Sequence, residues 1–243
     1  GPIDGHNLSE LVSTLDRIKD LKNPVLLHVL TKKGKGMVST NADDEYYLDA
    51  VKFHAVKPSK KPIDKIETTQ PSKSVPVFQD VFGAIACEVA RNRDDTVCIT
   101  AAMREGTGLV PYAKEFKDRY YDVGIAEGHG VTFAAGLATQ NVRPIVAIYS
   151  TFLQRAYDHI VHDAAIQHLP VVFCMDRAGI AGEDGPTHHG ALDIAYLKCV
   201  QDLVVTAPKD GNELRNLLYT GLDYSKGPFS IRYPKASSVN FDV

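Results

Sequence analysis

The 243-residue chain lacks an excess of either charge: 27 Lys and Arg face 30 Asp and Glu, a formal net charge of -3. No basic surplus is left over to neutralise phosphates, which argues against a nucleic-acid partner. No apolar run approaches the ~20 residues that cross a bilayer, so no membrane partner is expected either. No basic and apolar leader opens the chain, which starts Gly1-Pro2-Ile3-Asp4-Gly5-His6 and has its first methionine at Met37. The four cysteines, Cys87, Cys98, Cys174 and Cys199, are far apart and form no C-x-x-C pair. Such cysteines read as buried free thiols in a reducing compartment, not as a zinc site. There is no G-x-x-x-x-G-K-[ST] phosphate loop and no G-x-S-x-G elbow, and Gly128-His129-Gly130 lacks the third glycine of a dinucleotide fingerprint.

What the chain has is a regular alternation of helix and strand. Helical spacing over 77–91 leads to an apolar strand at 96–100, and a short helix at 110–116 leads to a strand at 119–123. A third helix follows Glu127, with Phe133, Ala134 and Leu137 on its apolar face, and leads to the strand 144–148. Helix 152–166 precedes strand 170–175, a loop fills 176–190, and a short helix precedes strand 203–206. Helix 211–222 and strand 228–231 complete the series. Short, continuously apolar strands alternating with helices predict an α/β fold, a parallel sheet with helices on both faces. Upstream, Asn7 or Ser9 opens a helix with Leu8, Leu11, Val12, Leu15 and Ile18 on one side. A strand at 25–30 and a basic, glycine-bearing turn at 31–36 follow it. Residues 58–74 are rich in Lys, Pro, Ser and Thr and read as a linker between a segment, 1–57, and a domain, 75–243.

Ligands of open parallel sheets bind beyond the carboxyl ends of the strands. Four strand exits carry ionisable or aromatic residues: Arg104 and Glu105; Glu127 and His129; Tyr149, Phe152, Arg155 and Asp158; and Asp176, Arg177, Asp184, His188 and His189. Each has a plain alternative. Glu127 can be a helix-start carboxylate favoured by the backbone dipole, and His129 a core histidine. Arg104–Glu105 can be a local ion pair, and Arg155 and Asp158 a surface helix pair. Phe152 and Tyr157 can be core, and His188-His189 a surface turn. His159, His162 and Asp163 have partial metal-ligand spacing but fall on what reads as the polar face of a helix. It is the convergence of the exits that favours a site.

The stretches Asp122-Val123-Gly124-Ile125-Ala126-Glu127-Gly128-His129, Tyr149 through Asp158, and Asp176-Arg177-Ala178-Gly179-Ile180 closely resemble the 1-deoxy-D-xylulose-5-phosphate synthase branch of the transketolase superfamily. The resemblance extends from Gly1 to about Tyr233. It implies a transketolase-like pyrimidine-binding domain at 75–243, preceded by the carboxy-terminal tail of a second α/β, diphosphate-binding domain. It also implies that the Mg2+ and diphosphate ligands lie in an amino-terminal part not in this chain, so no metal ligand is assigned here. A chain clipped from a longer enzyme, or completed by a separate amino-terminal piece, would be inactive alone.

The implied activity is a thiamine-diphosphate-dependent condensation of pyruvate with D-glyceraldehyde 3-phosphate, with loss of CO2. It would belong to a cytoplasmic, homodimeric bacterial enzyme of isoprenoid-precursor and thiamine synthesis. By the same resemblance, Glu127 bonds the pyrimidine ring nitrogen and Phe152 stacks on the ring, with Met37 close to the cofactor. His54 and His129 are candidates for proton transfer, and His6 a lesser one. Tyr149, Arg155, Arg177, Asp184, His188 and Lys235 form the acceptor site, Arg155 at its phosphate. Three positions depart from the family pattern. Gly128-His129-Gly130 replaces a common Gln-His-Ala, Met37 a tyrosine, and Lys235 an arginine, which keeps the charge but loses the bidentate fork. The alternatives are another transketolase-superfamily enzyme, such as transketolase or the decarboxylating subunit of pyruvate dehydrogenase, or a non-catalytic interaction domain.

Overall fold

The computed structural model describes residues 1–32, 35 and 75–239. The chain falls into two compact units, Gly1–Gln70 and Pro71–Val243. In the first, β1 (Ile3–Asp4) pairs in parallel with β2 (Val29–Leu30) around α1 (Leu8–Ile18). Asn7 caps α1, its side chain accepting from the Glu10 N–H at 3.2 Å. The strand expected over 25–30 shrinks to its last two residues, because β1 offers only two partners for it.

The second unit is built on six strands in the order β4-β3-β5-β6-β8-β7, every neighbouring pair parallel. They are β3 (Thr96–Thr100), β4 (Tyr120–Asp122), β5 (Arg143–Tyr149), β6 (Val172–Asp176), β7 (Val204–Thr206) and β8 (Phe229–Arg232). All residues of β3 and β6 are buried, the terminal Thr96, Thr100 and Asp176 included, as in strands covered on both faces.

One face is covered by α2 (Phe78–Asn92), α3 (Val110–Glu115) and α8 (Gly211–Asp223). Phe78, Val81, Phe82, Ile85, Val89 and Ala90 recur at helical spacing and give α2 its buried stripe. The other face is covered by α4 (Glu127–Ala138), the segment 150–165 and α7 (Asp193–Leu197). There α4 turns in the small residues Val131, Ala134 and Ala138 against Ile99, Val146 and Ile148. Phe133 and Leu137, expected on the core face with Ala134, are only half-buried. They flank the buried stripe of Val131, Ala134 and Ala138 and pack against the margin of the same core.

The helix expected over 152–166 is irregular. It comprises α5 (Ser150–Leu153), a 3-10 turn at Gln154–Ala156, α6 (Tyr157–His159) and a π-helical stretch at Ile160–Ala165. Cys98 and Cys174 are buried in strands and Cys87 in α2, as expected. Burial pushes the Cys98 and Cys174 thiols well up, which makes them inert. Cys199 departs from that reading: it is exposed, just beyond α7. No helix among the described residues is long and apolar enough to cross a membrane.

The topology fixes where a ligand can sit. From β3 the chain first steps outward to β4, then returns to the other side of β3 as β5. The loop leaving β3 and the segment leaving β5 therefore diverge, opening a crevice at the carboxyl ends of these two strands.

Candidate active site at the carboxyl edge of the sheet

The crevice is built from the strand exits. After β3 the chain turns sharply, with Ala102 at φ 57. Asp122, in register with Thr100 at the end of β4, holds that turn. Its Oδ1 accepts from the N–H of Ala102 at 2.8 Å and from that of Gly124 at 3.0 Å. The chain then enters α4 directly on Glu127. The side chain of Glu127 is 4% exposed, and its Oε1 accepts from Nη1 of Arg155 at 2.8 Å. A buried carboxylate needs such a partner, and the free N–H groups at the start of α4 add favourable potential.

Across from it, Tyr149 ends β5 in register with Asp176 of β6. The Tyr149 and Phe152 rings stack with centroids 5.8 Å apart and planes 17° from parallel. His188 meets Phe152 edge-on at 5.2 Å, and the Arg155 guanidinium lies 5.4 Å from the Phe152 ring centre. Thr151 donates to the Thr187 carbonyl at 3.2 Å and ties the His188 loop to α5. Lys235 grips both oxygens of Asp184, at 2.7 and 2.8 Å. That contact, with Arg177 and His188 behind it, holds the Asp184 carboxyl below the usual carboxylate range. Glu127, Phe152, Tyr149 and Arg155 thus meet in one cluster, and His188, Arg177, Asp184 and Lys235 adjoin it.

Several expected residues behave otherwise. His129 is exposed and stacks on Phe133 at 6.1 Å. Two residues along a helix rotate a side chain by about 200°, so Glu127 and His129 point to opposite sides of α4. Arg177 is 7% exposed and faces inward. Its guanidinium lies 4.2 Å from the Tyr149 ring centre, and its Nη1 donates to Gln79 Oε1 at 3.0 Å and to the Gly106 carbonyl. It braces the wall of the crevice, where an acceptor-binding role had been expected. Arg155, expected at a phosphate, is joined to Glu127 by one nitrogen while 61% of its side chain stays exposed. Asp158 pairs with His162 at 2.9 Å, not with Arg155. His6, in the first unit, accepts the Lys32 backbone N–H at 2.7 Å, a fold contact. His54 and Met37 lie outside the described residues. Among the described residues, no three His, Cys, Asp or Glu side chains gather to hold a metal ion.

Two features had no signature in the sequence. A Cβ on Gly106 would collide with the Tyr149 hydroxyl, so the β3 loop and β5 close on each other only through glycine. Asp176 is fully buried beside Arg177, which sits at φ 58. The Oδ2 of Asp176 lies 3.0 Å from Arg177 Nη1, and its Oδ1 accepts the Arg177 backbone N–H at 2.6 Å. Desolvation nevertheless outweighs the ion pair and pushes the Asp176 carboxyl up to about 6.

With this geometry established, comparison with known proteins decides the family. The family model described as transketolase, pyrimidine binding domain, matches residues 76–239. The chain belongs to the transketolase pyrimidine-binding domain family. A second model, described as 1-deoxy-D-xylulose-5-phosphate synthase, matches residues 1–31. Curated relatives carry the same description. One from Aquifex aeolicus is 54% identical over 98% of this chain and 36% of its own length. One from Klebsiella pneumoniae is 51% identical, over 98% of this chain and 37% of its own length. The chain thus spans a little over a third of the relatives it matches. Among solved structures, a split-gene transketolase, described as an inactive beta4 tetramer, superposes with TM-score 0.60 at 24% identity over 69% of this chain and 54% of its own. A Campylobacter jejuni transketolase superposes at 0.62 and 18% identity over 69% of this chain and 27% of its own. These neighbours show the fold.

The raised Asp176 carboxyl has a consequence for stability. Between about 4, its ordinary value, and about 6, the folded state holds the proton more tightly than the unfolded chain. Stability contributed by Asp176 is therefore fully present below that window and falls as pH rises through it. In urea titrations from pH 4 to 7, Asp176→Asn is expected to flatten this decline relative to the unmodified protein. Identical slopes would show that Asp176 does not titrate there.

Proposed function

We propose that this chain carries the pyrimidine half of a thiamine-diphosphate site in a 1-deoxy-D-xylulose-5-phosphate synthase. The reaction is the condensation of pyruvate with D-glyceraldehyde 3-phosphate, with loss of CO2. The observation that carries the reading is the buried Glu127 carboxylate linked through Arg155 to the half-exposed Phe152 ring. An aminopyrimidine needs a flat apolar face and a shielded carboxylate at its ring nitrogen, and these two residues supply that pair. Thiamine diphosphate, when bound, supplies the nucleophilic carbon that no side chain of this chain provides.

Glu127 would hold the ring nitrogen by a hydrogen bond, which its shielded position would strengthen. With the cofactor bound, Arg155 would have to give up its contact with Oε1 of Glu127. Its guanidinium, already largely exposed, is then available to the acceptor phosphate. Lys235 and Asp184, locked together here, flank the acceptor end with His188. Tyr149, whose hydroxyl burial pushes up to about 12, stays protonated and lines the crevice. The assignment of Mg2+ and the diphosphate to a longer protein, of residues 1–57 to a diphosphate-binding domain, and of the molecule to a cytoplasmic homodimer rests on the resemblance.

In the intact protein, Glu127→Ala is expected to lower turnover by about 10²–10⁴-fold while circular dichroism shows the fold retained. Near-normal turnover would refute the assignment. Arg155→Ala is expected to raise KM for D-glyceraldehyde 3-phosphate far more than KM for pyruvate. Equal effects on both substrates would remove the phosphate role.

A further inference from the structure

The residue after the glutamate is a glycine, and the space beside it is taken. A Cβ on Gly128 would lie 2.6 Å from Cε1, 2.9 Å from Nε2 and 3.1 Å from Nδ1 of His159. Three ring atoms at such distances mean that the imidazole lies across the backbone of position 128. Gly130, the other glycine of the same turn, is different. A Cβ there would meet its nearest neighbour, a Val123 methyl, at 3.4 Å, ordinary contact. An alanine would fit at 130 without rearrangement, whereas any side chain at 128 must displace His159.

His159 does not sit on a polar surface as its spacing implied. It is half-buried, and its Nδ1 is buried with no hydrogen-bond partner among the described residues. It is the middle of three contacts made by residues four apart in the 150–165 segment. Arg155 bonds Glu127, His159 covers Gly128, and Asp163 accepts from the Thr132 hydroxyl. The same segment carries Phe152. These three contacts therefore set the distance between the element that bears the carboxylate and the element that bears the stacking ring.

We propose that His159 is a positioning residue for Glu127, admitted by the missing side chain at 128. By filling that space its ring fixes the first turn of α4, and so the carboxylate, against α5. Arg155 cannot do this throughout the reaction, because it must release Glu127. Asp163 acts more than one turn farther along α4. This inference rests on the reading of Glu127 as the pyrimidine-binding carboxylate.

The test compares Gly128→Ala, His159→Ala, the double variant and Glu127→Ala in the intact protein. Three quantities are read: the Kd for thiamine diphosphate with Mg2+, the thermal midpoint, and amide exchange at Gly130 in cofactor-free protein. Gly130 reports on the first turn because its N–H donates to the Ala126 carbonyl at 3.0 Å. Gly128→Ala is expected to weaken cofactor binding about tenfold, with the fold retained. Adding His159→Ala should recover most of that loss, since the ring no longer competes for the space. His159→Ala alone, which demands no displacement, should speed Gly130 exchange and weaken binding severalfold. A double variant no better than Gly128→Ala would overturn the proposal. So would a His159→Ala protein that shifts in thermal midpoint but keeps its cofactor affinity and Gly130 protection, since that is mere packing. If Glu127→Ala itself binds cofactor and turns over normally, the reading of the site fails. If only Glu127→Ala is impaired, His159 alone is misassigned.

Discussion

A carboxylate withdrawn from water at the start of a helix is the constraint on which the rest of this site depends. Burying an ionised group costs several kcal/mol unless it is paired and solvated by the protein. At Glu127 the compensation comes from Arg155 and from the open amide groups of α4. The helix that carries the carboxylate turns the small residues Val131, Ala134 and Ala138 toward the sheet, and Gly128 leaves room for the His159 ring.

On the β5 side, the Tyr149 hydroxyl end lies against Gly106, while its ring packs with the Arg177 guanidinium and with Phe152. Arg177 in turn is anchored to Gln79, Gly106 and Asp176, of which Asp176 is in register with Tyr149 itself. The strain at Arg177 and Ala102, both at positive φ, lies at strand exits that shape the crevice. Arg177 is held beside the cluster by several contacts, whereas Arg155, largely exposed, makes one hydrogen bond there, to Glu127.

The sheet was legible in the sequence because short, mostly apolar runs such as 96–100 and 170–175 alternate with helical spacing, as strands covered on both faces do. The helix α2 was equally plain from its spacing. The segment 150–165 was not, because its helical pattern does not show the 3-10 and π turns that tertiary contacts with α4 impose. Glu127, Phe152, Tyr149 and Arg155 could be gathered from their places at strand exits. The inward turn of Arg177 could not, since it depends on a single left-handed residue. His129 was misplaced by its nearness in sequence to Glu127, although helix geometry sends the two apart. The fit of His159 over Gly128 joins residues 31 positions apart and has no local signature at all.

The central claim is that Glu127 activates a thiamine cofactor through its pyrimidine ring. Its most direct measure is the rate at which the C2 proton of bound thiamine diphosphate exchanges with deuterium, followed by NMR in the intact protein. Glu127→Gln keeps the size of the side chain and removes its acid–base capacity. The account predicts fast exchange in the unmodified protein and exchange slowed by orders of magnitude in Glu127→Gln. Equal rates in the two proteins would contradict it.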